Sequence, residues 1–238
     1  MISFFGDAAI KAKYVARMQA HIAADELVQG TGFEEGRGCS IGCTFDSYDH
    51  FMDLELLGLP EQLARLSYAI FEGLPEKSDQ KFALDFLMAV PVGVDCSPVL
   101  ITTAIARHER DLMRLANNNE PYALQCKNAI QGVIDWLKAG AASSMALSAR
   151  ATADSAAESA TDSAADLAAY LAARSAAESA AYLVANSATY SARSAAEPET
   201  DSAAESAAYS AAYQIEAQTL LAHMAALDSQ TTLIEARK

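Results

Sequence analysis

The feature that most constrains the fold is an alanine-serine tail in the second part of the chain. Residues 141–213 contain 30 alanines, and no glycine follows Gly140. The tail repeats the tetrad Ser-Ala-Ala-x, as in the stretches SAAESATDSAAD and DSAAESAAYSAAY. Alanine is the best helix former but buries little apolar surface, so the tail favours long helices that gain little from hydrophobic packing.

The spacing of the tetrad determines how such helices present their side chains. Four residues at about 100° each advance about 400°, so the repeated position moves about 40° around the helix with each tetrad. No face therefore becomes continuously apolar. Pro198, the single proline after Gly140, suits the first turn of a new helix, and we predict two long helices at residues 142–197 and 198–235.

The first 140 residues predict a compact helical domain that holds most of the hydrophobic core. Helix start and stop signals delimit helices at residues 7–30, 60–73, 78–90, 97 onward and 121–139. Strand signals are weak, because only the stretch AVPVGVDC alternates and it contains a proline and a glycine. The sequence therefore predicts an all-α fold, with a helical domain at 1–140 and an Ala/Ser-rich helical tail at 141–238.

The charge pattern argues against direct nucleic-acid binding. The net charge is −14, with 12 basic and 19 acidic residues in 1–140 and 5 basic and 12 acidic residues in 141–238. Binding to a phosphate backbone relies on clustered Lys and Arg, which this balance does not supply. The sequence shows neither a run of about 18 strongly apolar residues nor a signal-peptide pattern. We therefore expect a cytoplasmic protein without a membrane partner, whose cysteines are reduced.

The stretch GRGCSIGCTFDSYDH concentrates glycines, cysteines, acids and a histidine, and several interpretations of it stay open. In the first, Cys39 or Cys43 is a nucleophile whose thiolate is favoured by the N-terminus of a following helix. His50 would act as the base, and Asp46 or Asp49 would orient it. Against this interpretation, the base follows the nucleophile after only a few residues, whereas such sites usually combine distant segments.

A second interpretation of the same stretch is a metal site. Cys39 and Cys43 would share a helix face, and His50 or an aspartate could add ligands. The second Cys-x2-Cys pair that is typical of zinc sites is absent, so the remote Cys96 or Cys126 would be needed. We therefore predict neither a bound metal nor a cofactor.

Two further interpretations depend on the backbone of the stretch. Its glycines allow close backbone approach and cysteine is commonly a small buried residue, which favours a packing role. The loop could instead cradle a ligand such as a phosphate on its backbone N–H groups. The ligand-binding residues would then be Arg37, Gly38, Gly42 and Thr44, although the loop lacks the Lys-Ser/Thr ending of a P-loop.

Four motifs, GCSIGCT, YDH, LGLPEQLARL and IFEGLP, precede the alanine-rich tail. In this combination the chain resembles a group of uncharacterised proteins from bacteriophages and bacterial mobile elements. The likeness covers roughly residues 22–75 and the composition of the tail. It rests on a G-C-x-x-G-C-T loop and a following D-H pair, here Gly38-Cys39, Gly42-Cys43-Thr44 and Asp49-His50. The resemblance implies an accessory phage-type protein, for which interference with host defence is a class-level expectation, and it implies no activity.

Taken together, these patterns predict a binding or inhibitory protein that occupies a host factor or sequesters a small ligand. The helical domain would form the site, since the sequence contains no convincing catalytic triad. The alternative is a thiol-dependent hydrolase or transferase centred on residues 39–50, so whether the protein is an enzyme stays open. We also predict that the tail assembles copies into a homo-oligomer, because helices gain most of their stability from packing. A tail folded back on its own domain is the alternative to assembly.

Overall fold

Helices dominate the computed structural model, which describes residues 1–47, 57–139, 151–152, 155, 171–176 and 202–235. The predicted all-α class is confirmed. Most of the predicted helix at 142–197 lies outside the described residues, and the parts of it that are described are helical. Among the described residues, no helix combines the length and the apolar character needed to cross a membrane.

Within the first 139 positions and the final helix, the described elements place a short hairpin among the helices. The elements are a 3₁₀ helix at Ser3–Gly6, α1 at Ala8–Ala23, β1 at Phe33–Glu34, β2 at Arg37–Gly38, α2 at Ser40–Phe45, α3 at Glu61–Gly73, α4 at Ser78–Ala89, α5 at Ser97–Arg114, α6 at Pro121–Lys138 and α7 at Ser202–Glu235. The hairpin is antiparallel and pairs Phe33 with Gly38 and Glu34 with Arg37. The stretch AVPVGVDC contains no strand, in agreement with its proline and glycine.

The two ends of α1 show where local signals are sufficient and where they are not. The side chain of Asp7 accepts a hydrogen bond from the backbone N–H of Ala9 at 2.7 Å, which confirms the predicted N-cap. The predicted end at Gly30 is wrong, because α1 ends at Ala23. Asp25 adopts a left-handed conformation with φ of 57° and turns the chain out of the helical path.

The chain divides into two compact units. The first unit comprises Met1–Leu100 and Ala217–Lys238, and the second unit comprises Ile101–Glu216. The second unit therefore takes residues from both sides of the predicted boundary after residue 140. The predicted division into a domain at 1–140 and a tail at 141–238 stays a prediction.

In the first unit, helices α1 to α4 pack around one apolar interior. The short helix α2 contacts both α1 and α3, and α4 contacts α1 and α3 as well. Leu63, Leu66 and Ile70 on α3 are fully buried, as their helical spacing indicates. This packing encloses α2, which begins directly after Cys39 and carries Cys43.

In the second unit, large side chains of α6 pack with alanines of the tail. Ile130, Ile134 and Trp136 are at most 1% exposed, and they share a cluster with the three alanines of residues 171–176. Alanine fits such a position because its small side chain lets two helices approach closely. These tail residues therefore pack against their own chain, and assembly through the tail stays a prediction.

Candidate functional site

The two loop cysteines form the N-terminal turn of α2, and both are fully buried. Cys39 is the N-cap residue, and its Sγ accepts a hydrogen bond from the backbone N–H of Gly42 at 3.4 Å. The thiol of Cys43 donates to the carbonyl oxygen of Gly38 at 3.3 Å. The sulfur of Cys39 thus caps the N-terminus of this six-residue helix, and the thiol of Cys43 is a buried hydrogen-bond donor within it.

Burial also changes the acidity of these thiols. Desolvation raises the pKa of Cys39, and it raises that of Cys43 to about 12, with the neighbouring Cys39 as the next cause. At neutral pH both groups are therefore protonated, whereas the nucleophilic form of cysteine is the thiolate. This environment disfavours the nucleophile interpretation. Its remaining members, Asp49 and His50, lie outside the described residues.

The glycines of the loop are packed tightly against the preceding segment. A Cβ added to Gly38 would lie 2.3 Å from the carbonyl oxygen of Gly32, and one added to Gly42 would lie 2.6 Å from it. The same oxygen accepts a hydrogen bond from the backbone N–H of Cys39 at 2.9 Å. The carbonyl oxygen of Gly32 therefore accepts the backbone N–H group that a ligand bound at this loop would use.

The other two residues of the predicted cradle point to the same packing role. The Thr44 hydroxyl donates to the carbonyl oxygen of Ser40 at 2.7 Å, and the Thr44 side chain is buried. Arg37 is exposed and approaches the carbonyl oxygen of Asp25 at 3.5 Å. Of the interpretations drawn from the sequence, structural packing agrees best with this geometry, and the ligand-binding assignment stays a prediction.

An ionic cluster that sequence reasoning missed ties the end of α1 to the loop. His21 is 9% exposed, and its Nδ1 lies 2.7 Å from Glu26 Oε2 while its Nε2 lies 2.8 Å from Asp46 Oδ1. Arg17 Nε lies 3.1 Å from the second oxygen of Asp46. Asp46, which the nucleophile interpretation placed beside His50, thus pairs with two residues of α1. No local sequence pattern predicts the contact between His21 and Asp46, because these residues are 25 positions apart.

A cavity of about 30 Å³ lies beside α2 in the first unit and is partly open to the surface. Its walls are mostly apolar and include Met18, Phe82 and Phe86. The hydroxyl-bearing residues Ser40 and Ser67 also line it, together with Thr44, and none of its described lining residues is charged. The described part of the lining thus offers no charged partner to an ion.

The second unit contains a separate polar centre in which α5 binds a carboxylate of α7. Glu216 Oε1 accepts hydrogen bonds from Nε of Arg107 at 2.9 Å and from its Nη2. Glu216 Oε2 accepts a hydrogen bond from Arg110 Nη2 at 2.5 Å. Arg107 is fully buried and Glu216 is 5% exposed. A buried anion held by two guanidinium groups fixes the position of α7 on α5 within this unit.

A second set of polar side chains lies on α5. His108 and Asp111 are both fully buried, and Nδ1 of the histidine lies 3.6 Å from Oδ2 of the aspartate. Arg114 Nη1 lies 2.9 Å from the other oxygen of Asp111. Desolvation lowers the pKa of His108, which favours the neutral imidazole. The i, i+3 spacing of His108 and Asp111 is the local signal that indicates this pair in the sequence.

No set of three His, Cys, Asp or Glu side chains within the described ranges is grouped closely enough to hold a metal ion. The chain matches no protein-family model, no curated protein and no solved structure. The resemblance to proteins of bacteriophages and mobile elements therefore stays a prediction.

Proposed function

We propose that this protein is a phage-type accessory binding protein that acts without covalent chemistry, by occupying a host factor or by sequestering a small ligand. Interference with host defence is the role that we propose for such binding. The observation that carries the proposal is the cavity beside α2, whose described lining combines apolar side chains with hydroxyl groups. Such a combination is typical of ligand sites, in which a few polar groups orient an otherwise apolar ligand.

The thiol environment favours binding over the alternative, a thiol-dependent hydrolase or transferase. An attacking thiolate requires a lowered pKa and access to substrate. Cys39 and Cys43 are fully buried, and burial raises the pKa of each. Binding by the first unit, in contrast, requires no ionised thiol.

Affinity purification of the full-length protein from a bacterial lysate, followed by native mass spectrometry, tests the proposed function. We expect a partner or a small-molecule mass that remains bound to the wild type and to Cys39→Ser alike. Serine is a good N-cap residue, so this variant should keep α2 intact. A protein that retains no added mass under several lysate conditions would contradict the proposal, as would a turnover that Cys39→Ser abolishes.

We also propose a homo-oligomer whose contacts involve the tail. The motivation is the marginal stability of long alanine-rich helices without packing partners. Residues 171–176 are already covered by their own chain, so contacts between copies must use other parts of the tail. Light scattering on the full-length protein tests this point, and a monomeric mass at tens of micromolar would overturn it.

A further inference from the structure

We propose that His21 is a pH-sensitive latch that holds the end of α2 against α1. While its imidazole ring carries two protons, it binds the carboxylates of Glu26 and Asp46 together, and the loss of one proton releases Asp46. The latch goes beyond the proposed function and does not depend on it. Three observations carry it: the geometry of the ring, the partners of the two carboxylates, and the position of Asp46 in the fold.

Both ring nitrogens of His21 face a carboxylate oxygen at hydrogen-bond distance. Nδ1 lies 2.7 Å from Oε2 of Glu26, and Nε2 lies 2.8 Å from Oδ1 of Asp46. An ionised carboxylate only accepts hydrogen bonds, and a neutral imidazole has one donor nitrogen and one acceptor nitrogen. Both contacts are therefore satisfied together only by the imidazolium ion, in which each nitrogen donates. The residue is 9% exposed, so water has little room to replace a lost contact.

The partners of the two carboxylates decide which contact breaks when the ring becomes neutral. Asp46 has a second cation, because Nε of Arg17 lies 3.1 Å from its Oδ2. Among the described residues, Glu26 pairs with no cationic side chain other than His21. The neutral ring should therefore keep its proton on Nδ1, where it faces the carboxylate that has no other positive partner. Nε2 then presents a lone pair to Oδ1 of Asp46, and this contact becomes repulsive.

The groups around the cluster keep their charge over the pH range in which histidine titrates. Arg17 stays charged, because arginine is not deprotonated in proteins. The thiol of Cys43 donates to the carbonyl oxygen of Glu26 at 3.7 Å, and burial raises its pKa to about 12, so it is neutral. Phe33 on β1 contributes a ring edge, and Arg37 on β2 approaches a backbone carbonyl oxygen. Helix α4 also packs against α1, and its described residues add no ion pair to the two carboxylates. The histidine is therefore the group of this cluster whose charge changes between about pH 5 and pH 8.

Asp46 lies at the position where α2 ends. It adopts a left-handed conformation with φ of 54°, and its backbone N–H donates to the carbonyl oxygen of Gly42 as the C-cap of the helix. The backbone N–H of Ser47 donates to the same oxygen at 3.3 Å. The left-handed conformation is uncommon outside glycine, so contacts of the Asp46 side chain help to maintain it. Release of Oδ1 should therefore disturb these two hydrogen bonds, while Arg17 still holds the other oxygen.

Nuclear magnetic resonance of the ¹⁵N-labelled full-length protein tests the latch between about pH 5 and pH 9, a range that covers the titration of histidine. The ¹⁵N chemical shift of each ring nitrogen reports whether that nitrogen carries a proton. We expect both nitrogens of His21 to be protonated at the acidic end of the range and only Nδ1 at the alkaline end. The backbone amides of Asp46 and Ser47 should shift with the same midpoint as the ring. His21→Gln assigns the ring signals and should lose the shift of both amides.

Two carboxamide variants provide a matched comparison. Asp46→Asn gives Nε2 a partner that can donate a hydrogen bond, so the neutral ring is satisfied and the pH-dependent shift of the Ser47 amide should be lost. Asp25→Asn removes the same charge from an exposed residue next to Glu26, and asparagine tolerates the left-handed conformation, with φ of 57°, at this position. This control variant should keep the shift of the Ser47 amide.

Three results would overturn the latch. The first is that the amides of Asp46 and Ser47 do not shift while the ring of His21 titrates. The second is a ring that keeps both protons throughout the pH range, and the third is a neutral ring whose proton remains on Nε2. None of these signals depends on a partner from a lysate, so a failure of the latch is distinguishable from a failure of the proposed function.

Discussion

The carboxylate of Glu216 is the point at which a single substitution should destabilise the second unit most clearly. Its oxygens accept hydrogen bonds from Arg107 and Arg110, and neither Arg107 nor Glu216 is more than 5% exposed. Glu216→Gln keeps the shape of the side chain and removes its charge. The variant therefore isolates the contribution of the anion to this polar centre.

The expected magnitude follows from the burial of the pair. Removing one partner of a buried ion pair typically lowers the free energy of unfolding by about 3–5 kcal/mol, because the other charge stays desolvated. The Arg110 side chain is 20% exposed, so water screens part of its charge. We therefore expect about 3 kcal/mol for Glu216→Gln, at the lower end of that range. With a urea m-value of about 2 kcal/mol/M, the unfolding midpoint should fall by about 1.5 M.

A matched control lies on α5, the helix that carries Arg107 and Arg110. Glu109 pairs with Lys138 at 2.9 Å, and these side chains are 50% and 53% exposed. Glu109→Gln should therefore change the free energy of unfolding by less than about 1 kcal/mol. Trp136, the one tryptophan of the chain, is 1% exposed and reports urea unfolding of this unit by its fluorescence. Equal midpoint shifts for the two variants would refute the reasoning about the buried pair.

Three further predictions concern the loop, the thiols and the buried histidine. Gly38→Ala should lower the free energy of unfolding by about 1–3 kcal/mol, because the new Cβ would lie 2.3 Å from the Gly32 carbonyl oxygen. Gly132→Ala is the control on α6, because its new methyl group meets open space, and it should raise the free energy of unfolding by about 0.5–1 kcal/mol. If thermal unfolding shows a change of the same sign for Gly38→Ala and Gly132→Ala, the packing role of Gly38 is contradicted. All four cysteines are buried. At neutral pH an aromatic disulfide reagent should therefore modify the thiols of the folded protein far more slowly than those of the urea-unfolded chain. Rapid modification of the folded protein would contradict this prediction. Burial lowers the pKa of His108 below 6.5. As the pH drops through about 6.5, the unfolded chain therefore binds a proton at this residue that the folded chain does not bind. The free energy of unfolding should fall over this pH range. His108→Gln should lose this dependence in urea unfolding measured at several pH values, and a variant with an unchanged slope would show that another group is responsible.

Local sequence patterns were sufficient to predict the class of the fold and the ends of most helices. Asp7 caps α1, α4 starts at Ser78 and α6 starts at Pro121, as their local patterns predict. These outcomes depend on hydrogen bonds and backbone preferences that act within a few residues, so the local sequence contains the necessary information. The end of α1 was missed because Asp25 adopts a left-handed conformation that is uncommon for residues other than glycine.

The tertiary structure alone decided what the candidate residues do. The sequence singled out Cys39 and Cys43 as candidate site residues, but their burial depends on how the surrounding helices pack around α2. The pairing of Arg107 with Glu216 joins positions 109 residues apart. The pKa of a thiol and the strength of an ion pair depend on how much water and which charges surround them. These surroundings are created by packing between segments that are distant in the sequence.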